Sequence, residues 1–331
     1  MESSTSILTT AKDLRLEQAY VWLQQLGVDL QSELHNVAGD ASFRRYFRLR
    51  VNGESRILMD APPPGEDVSP FIDIDHRLRV AGLHAPEIFH ADRRNGFLLL
   101  EDLGDDLYRD LLREDNVDLF FPPLFDVLKT LALDVDTRDL PVFDYRRLRR
   151  DMDLFPDWYL GRHRKNMPRG RLDESWDKFC GSIIDSALVQ PQMFVHRDFH
   201  SCNLLGTGGN DIGIIDFQDG VKGPVSYDFI SLIWDRYISW PRPRIENWME
   251  EMRLKLCPDI EPAQWQRYCD LMGLQRNFKI VGIFARLHYR DGKNGYIEMI
   301  PRFYDYITST LRLYPEFAEV LDFMEKPECV P

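Results

Sequence analysis

Residues Val195 to Asp219 read VHRDFHSCNLLGTGGNDIGIIDFQD. An apolar lead, Met193-Phe194-Val195, runs into the polar cluster His196-Arg197-Asp198, with Asn203 following on the next turn of chain. A glycine-rich turn, Gly206 to Asp211, then feeds a second apolar run, Ile212 to Ile215, that ends on Asp216. Two short strands joined by a tight loop are expected, bringing Asp198, Asn203 and Asp216 to one end of a hairpin. Taken singly, each is an ordinary turn residue. Together, two carboxylates and an amide offer hard oxygen ligands and a base, a set that suits magnesium and a phosphate-bearing nucleotide.

Working outward toward the N-terminus, Leu14 to Leu26 has helical periodicity and meets Gly27, suited to a C′ position. Val37 to Phe43 reads as a small-residue loop, and Phe43 to Val51 alternates as a strand. Asn52-Gly53 marks a two-residue hairpin with Ser55 to Met59 as the return strand. Ser69-Pro70 opens a helix through Val80, and Ala85 to Phe89 and Phe97 to Leu100 read as further strands. Beyond Asp106 the pattern is helical apart from the hairpin: Leu119 to Leu131, Arg146 to Leu160, 173–189, Ser226 to Ile238, 244–257, 262–290 and 301–325. The expected fold is α+β, with a small antiparallel-sheet N-lobe (1–104) and a mainly helical C-lobe (105–331) carrying the catalytic hairpin.

At 331 residues the chain is long enough for two cores, and 44% hydrophobic with 29% charged residues describes an ordinary globular protein. The net charge of -13 argues against a nucleic-acid partner, since phosphate binding needs a basic face. The five cysteines lack any C-x-x-C pairing, which fits a reducing compartment better than a disulfide framework or a zinc site. The N-terminus is polar with an early acid, unlike a signal peptide, and no apolar run approaches the roughly 20 residues that span a bilayer. These features point to a cytoplasmic protein with no membrane partner. Nothing in the sequence fixes an oligomeric state.

The pattern H-R-D-x-x-x-x-N followed by I-D-F, behind a sheet lobe and among helices, resembles the protein-kinase-like fold. Within that fold it resembles the aminoglycoside phosphotransferase family of small-molecule kinases. The segment Gly223-Pro224-Val225-Ser226-Tyr227-Asp228-Phe229 is similar to a further motif of that family. Gly39 to Tyr46, Met59 to Pro63, Gly282 to Leu287 and Arg290 to Lys293 are similar to peptides of its bacterial anomeric amino-sugar kinases. The resemblance implies ATP and Mg2+ as cofactors, and transfer to the anomeric hydroxyl of N-acetylmuramate and/or N-acetylglucosamine in peptidoglycan recycling. It makes Asp198 the catalytic base and Asn203 and Asp216 the metal ligands; Arg197 itself reads as structural, and Asp228, past Asp216 at a helix start, as a brace for the loop. Gly39 and Ser42 fall where kinases place their phosphate-covering loop, and Glu101 to Leu103 resembles the linker whose backbone meets adenine. The strand Arg56 to Asp60 lacks the family's phosphate-pairing lysine. Either Arg44 or Arg45 supplies that cation or the nucleotide is gripped differently, and Asp73 and Asp75 are the candidate helix acids.

The small-molecule substrate falls to the helical lobe. At about 100° per residue, Lys279, Arg286 and Arg290 share one angular band beside the apolar stripe Ile280, Ile283, Phe284 and Leu287. A basic stripe on an acidic protein suits an anionic group such as the lactyl carboxylate of N-acetylmuramate. His200 and Asp219 flank the acceptor position, while Trp158 and Tyr159 read as core. Rival readings are another kinase of the same fold (aminoglycoside, choline or homoserine) and a non-catalytic nucleotide-binding regulator.

Overall fold

Asp13 caps the first helix, its carboxylate accepting from the backbone N–H groups of Arg15 and Leu16, and α1 (Leu14–Gln25) buries Ala19, Trp22 and Leu23 along one face. The computed structural model describes residues 13–28, 34–38, 43–164, 172–209, 211–326 and 329–331. The chain divides into two compact units: residues up to Asp75 with Pro86–Gly104, and His76–Ala85 with Asp105–Pro331.

The first unit is an antiparallel sheet of β1 (His35–Ala38), β2 (Arg45–Val51), β3 (Glu54–Asp60), β4 (Ile88–Asp92) and β5 (Phe97–Glu101), in the order β1-β2-β3-β5-β4. Asn52 and Gly53 both take positive φ, the geometry that a two-residue hairpin between twisted strands demands. The buried face of α1 packs on Phe47, Leu49, Leu58, Phe97 and Leu99, with Trp22 stacked on Phe97 at 5.8 Å. Of the loop expected over Val37 to Phe43, Val37 and Ala38 instead end strand β1, and residues 39–42 lie outside the described residues. Strand β4 begins at Ile88 rather than Ala85, beyond Pro86, which cannot donate to a ladder. The unit division falls inside α2 (Ser69–Val80).

The second unit holds α3 (Tyr108–Leu111), α4 (Val117–Asp134), α5 (Tyr145–Leu154), α6 (Leu172–Leu188), α7 (Tyr227–Ile233), α8 (Arg242–Leu256), α9 (Pro262–Asp291), α10 (Ile300–Leu311) and α11 (Ala318–Met324). Helix α5 widens into a π-helical stretch, Phe155–His163, where Pro156 lacks the N–H for a regular turn. The single helix expected over 301–325 is two, interrupted at Pro315, and the helix expected to reach Ile238 stops at Ile233.

The opening hairpin needs a correction. Its apolar lead, β6 (Gln192–Val195), pairs with β9 (Val221–Pro224), and the true hairpin is β7 (Leu204–Gly208) with β8 (Asp211–Ile214). Two antiparallel ladders therefore frame the motif. The 3₁₀ turn Ser201–Asn203 leads from the polar cluster into β7, and Asp216 follows β8.

Helix α9 runs through the core of this unit. Phe278 packs edge-on against Phe155 (4.8 Å), Trp176 (5.0 Å) and Phe179 (5.5 Å). At Gly282 a Cβ would stand 2.4 Å from the Leu154 carbonyl carbon, so only glycine lets α9 approach α5 this closely. No helix among the described residues is long and apolar enough to cross a membrane.

Candidate active site

Polar anchors shape the loop after β6. Asp228, buried at the start of α7, accepts the N–H of His196 at 2.6 Å and of Arg197 at 3.0 Å. Those bonds hold Arg197 at φ 78, a left-handed conformation that costs a non-glycine residue roughly 1–2 kcal/mol. His196 is wholly buried: the Asp198 N–H points at its Nδ1 (3.3 Å), so its proton sits on Nε2 and is donated to the Ile215 carbonyl at 3.0 Å. Burial pushes His196 below its ordinary pKa, keeping that neutral tautomer, and pushes Asp228 up to about 6. Farther along, buried Asp235 accepts from Ser201 N–H and Tyr237 N–H, both at 2.9 Å.

This frame brings Asp198, Asn203 and Asp216 together. Asn203 Nδ2 donates to the Asp198 carbonyl (2.9 Å) and approaches Asp216 Oδ2 (3.3 Å), while Gln218 Nε2 donates to Asp216 Oδ1 (2.8 Å). Asp216 is exposed, at φ 62, a conformation that aspartate tolerates. One exposed carboxylate beside one amide is a hard-oxygen set that fits magnesium, which binds through one or two carboxylates with phosphates and water completing its shell.

Asp198 is half-buried in a cavity of about 250 Å³ shared with Arg197, His200, Asp219, Arg236, Arg276 and Lys279, with Ile280, Ile283, Phe284 and Phe303 as its apolar wall. Burial raises the Asp198 pKa, but the charges of Lys279, Arg197 and Arg276 outweigh it and hold the carboxyl well below the usual range. Lys279 Nζ donates to Tyr227 Oη at 3.1 Å, and lies 3.7 Å from Asp151 Oδ2, itself 3.8 Å from Arg197. Burial opposes its charge, yet Tyr227, Asp151 and Asp198 keep Lys279 above its ordinary value. Arg236 Nη2 lies 2.9 Å from His200 Nε2; guanidinium only donates, so Nε2 accepts and the His200 proton sits on Nδ1. That Nδ1 is buried with no protein partner among the described residues.

Of the residues expected at the substrate, His200, Asp219 and Lys279 line this cavity; Arg286 and Arg290 do not. They share the angular band of Lys279, but at about 1.5 Å per residue they sit roughly 10 and 16 Å farther along α9. Arg290 is exposed and bonds Asp291 at 2.7 and 2.9 Å. Arg276, Arg236 and Asp235 were not singled out in the sequence. Arg276 lies one turn before Lys279 on the same side of α9 and was readable; Arg236 and Asp235 sit in an irregular stretch after α7 with no periodic signal. Tyr159 is fully buried and donates to the Cys329 carbonyl at 2.7 Å, and half-buried Trp158 packs against the same core.

The nucleotide candidates lie in the first unit. Gly39 and Ser42 fall outside the described residues. Arg44 pairs with Glu66 at 2.8 Å. Arg45 pairs with Asp13 and, at 2.5 Å, with the fully buried Asp60, which Arg15 also grips. Glu101, ending β5, accepts the Glu87 N–H (3.1 Å), and Leu103 is half-buried. Asp73 and Asp75 lie on α2, with Asp75 buried.

A sequence model of the phosphotransferase enzyme family, APH, matches residues 33–265. A protein from Pseudomonas putida named N-acetylmuramate/N-acetylglucosamine kinase is 41% identical over 324 residues, covering 93% of this chain and 95% of that one. One of the same name from Pseudomonas aeruginosa is 40% identical over 325 residues, with the same coverage. Among solved structures, the ADP-bound aminoglycoside phosphotransferase APH(2'')-Ib superposes with a TM-score of 0.60 at 15% identity, covering 89% of this chain and 99% of that one. The fold is kinase-like, and the chain belongs to the phosphotransferase enzyme family.

Proposed function

We propose that this protein is an ATP-dependent kinase that phosphorylates the anomeric hydroxyl of N-acetylmuramate and N-acetylglucosamine, and that it works in the cytoplasm in peptidoglycan recycling. The observation that carries this reading is the cavity around Asp198, where an apolar wall meets a cluster of cations dominated by buried Lys279 and Arg276. An N-acetylated ring suits the wall, and a lactyl carboxylate suits the cations. Cationic acceptors such as choline or aminoglycosides meet like charge there.

In the reaction, the anomeric oxygen bonds to the γ-phosphorus, the bond to the β–γ bridging oxygen breaks, ADP leaves, and the hydroxyl proton passes to Asp198. A carboxylate of such low pKa is a weak ground-state base. Its work is to orient the hydroxyl and take the proton late, as a loose transition state permits. His200 lines the same cavity, and Asp219 is available to a second hydroxyl. Asn203 and Asp216 would hold magnesium, which would supply charge neutralisation at the phosphates when bound. For the nucleotide we assign residues 1–104, with Gly39 and Ser42 at the phosphates and the Glu101–Leu103 backbone at adenine. The ion pairs of Arg44 and Arg45 mean that either would first have to release a carboxylate to meet phosphate.

Incubation with magnesium-ATP and N-acetylmuramate tests the reading: the product is a sugar phosphate with no reducing end. A phosphorylated product that still reduces places transfer on another hydroxyl and defeats it.

A further inference from the structure

A second cavity in the same unit, about 740 Å³, is lined by Trp234, Arg236, Arg302, Asp305, Tyr306 and Ser309 among others. Arg236 belongs to both cavities. Its guanidinium meets His200 on the acceptor side, and its carbonyl accepts Arg302 Nη1 at 2.5 Å from α10. What occupies the second cavity therefore lies one side chain from the acceptor. At 250 Å³ the acceptor cavity is below the roughly 300–1,000 Å³ usual for small-molecule sites, whereas the second falls within it.

Its lining narrows the occupant. Trp234 and Trp240 are 2% and 5% exposed, and Trp234 is stacked under Tyr306 at 6.0 Å, so neither indole offers an open platform to a second sugar ring. Arg242 is taken up by a bidentate contact with Asp270. What remains includes Arg302, the carboxylates of Glu298 and Asp305, the hydroxyls of Ser239 and Ser309, and apolar spots at Met299 and Leu313. Charges of both signs, hydroxyls and small apolar spots suit amide groups with short side chains.

We propose that the second cavity is an acceptor-extension subsite for an N-acetylmuramate whose lactyl carboxylate is amide-linked to an amino acid or short peptide, with Arg236 at the junction. This rests on the amino-sugar reading above. The transfer is unchanged: the anomeric O–P bond forms, the β–γ bridge O–P bond breaks, ADP leaves and Asp198 takes the proton.

The test compares kcat/KM for N-acetylmuramate, its L-alanyl amide and its L-alanyl-D-isoglutamine derivative, in the wild type and in Ser309→Trp, which fills the cavity from an exposed position on α10. The wild type is expected to use the peptide acceptors, whose amide lacks the charge that a carboxylate offers Lys279, within about 100-fold of the parent. Ser309→Trp should lower kcat/KM for the peptide acceptors at least about tenfold while moving the parent by no more than about twofold. A second variant, Asp305→Arg, should discriminate in the same direction. A wild type that neither phosphorylates nor is competitively inhibited by the peptide acceptors overturns the subsite, as do variants that slow all acceptors equally. Turnover of a glycosyl-extended disaccharide, sensitive to Ser309→Trp in place of the peptides, overturns the occupant. If N-acetylmuramate itself is not phosphorylated, the amino-sugar reading fails, which is distinct from failure of the peptide arm alone.

Discussion

In the sheet unit, arginines close on carboxylates at contact range: Arg45 on Asp60 at 2.5 Å, Arg48 on Asp102 at 2.6 and 2.9 Å, Arg44 on Glu66 at 2.8 Å. Beside Asp198, the two α9 cations are held off from carboxylates. Lys279 stands 3.7 Å from Asp151, and Arg276 makes a 3.5 Å approach to the Trp234 carbonyl. Yet Lys279 and Arg276 are the more deeply buried, at 7% and 5% exposed. A short bidentate pair fixes side chains and spends the charge on the fold. A buried cation with only distant counterions keeps its field for what enters the cavity. The difference separates arginines that stabilise from the cations that we propose recognise the acceptor.

The largest effect should come from the group those α9 charges surround. Asp198→Asn should lower kcat by roughly 10²–10⁴-fold with ADP affinity retained, read by steady-state kinetics and calorimetry. Retained turnover would mean that the cations serve something other than the acceptor. Lys279→Met should reduce kcat/KM for N-acetylmuramate by roughly 10–100-fold while N-acetylglucosamine, which has no carboxylate, changes only a few-fold. An equal loss on both sugars would move the role of Lys279 to the charge of Asp198. Arg45→Met should cost about 1–3 kcal/mol of stability by weakening the partners of buried Asp60, with KM for ATP changed less than about threefold. A sharp rise in that KM at unchanged Tm would break the comparison by showing Arg45 at the phosphates.

The smallest effect is a slope. Asp228 has an ordinary carboxyl value of 3.8 and is raised by burial to about 6 in the fold. Between those values the folded state binds more protons than the unfolded one, so this group makes stability fall as pH rises from about 4 to about 6 and level off above. Asp228→Asn should remove that fall, seen as a Tm difference from wild type that changes across this window and is constant above it.

What the sequence showed, and what it hid, follows the range of each interaction. His196 to Asp216 was legible because the spacing itself carries the motif, and the paired strands lie close in the chain. The partner of β6 was not, since an apolar tetrapeptide fits β8 or β9 equally well until the turn at Gly208 claims β8. Helix periodicity gave the direction of Lys279, Arg286 and Arg290 but not how far along the axis the cavity lies. The missing strand lysine was plain. That Arg45 is bound by Asp13 and Asp60 was not, because those partners come from a helix cap and another strand.

The length of α9 makes it a ruler for acceptor chemistry. Its packing against α5 is fixed at Gly282, while the face toward Asp198 presents Arg276, Lys279, Ile280 and Ile283 in successive turns. Moving a positive charge from 279 to 283 shifts it about 6 Å along the axis without a new fold, a new loop or any change at the motif. A lineage could therefore change which acid it phosphorylates, or stop requiring an acid, by exchanging residues on one helix while the transfer machinery stays untouched.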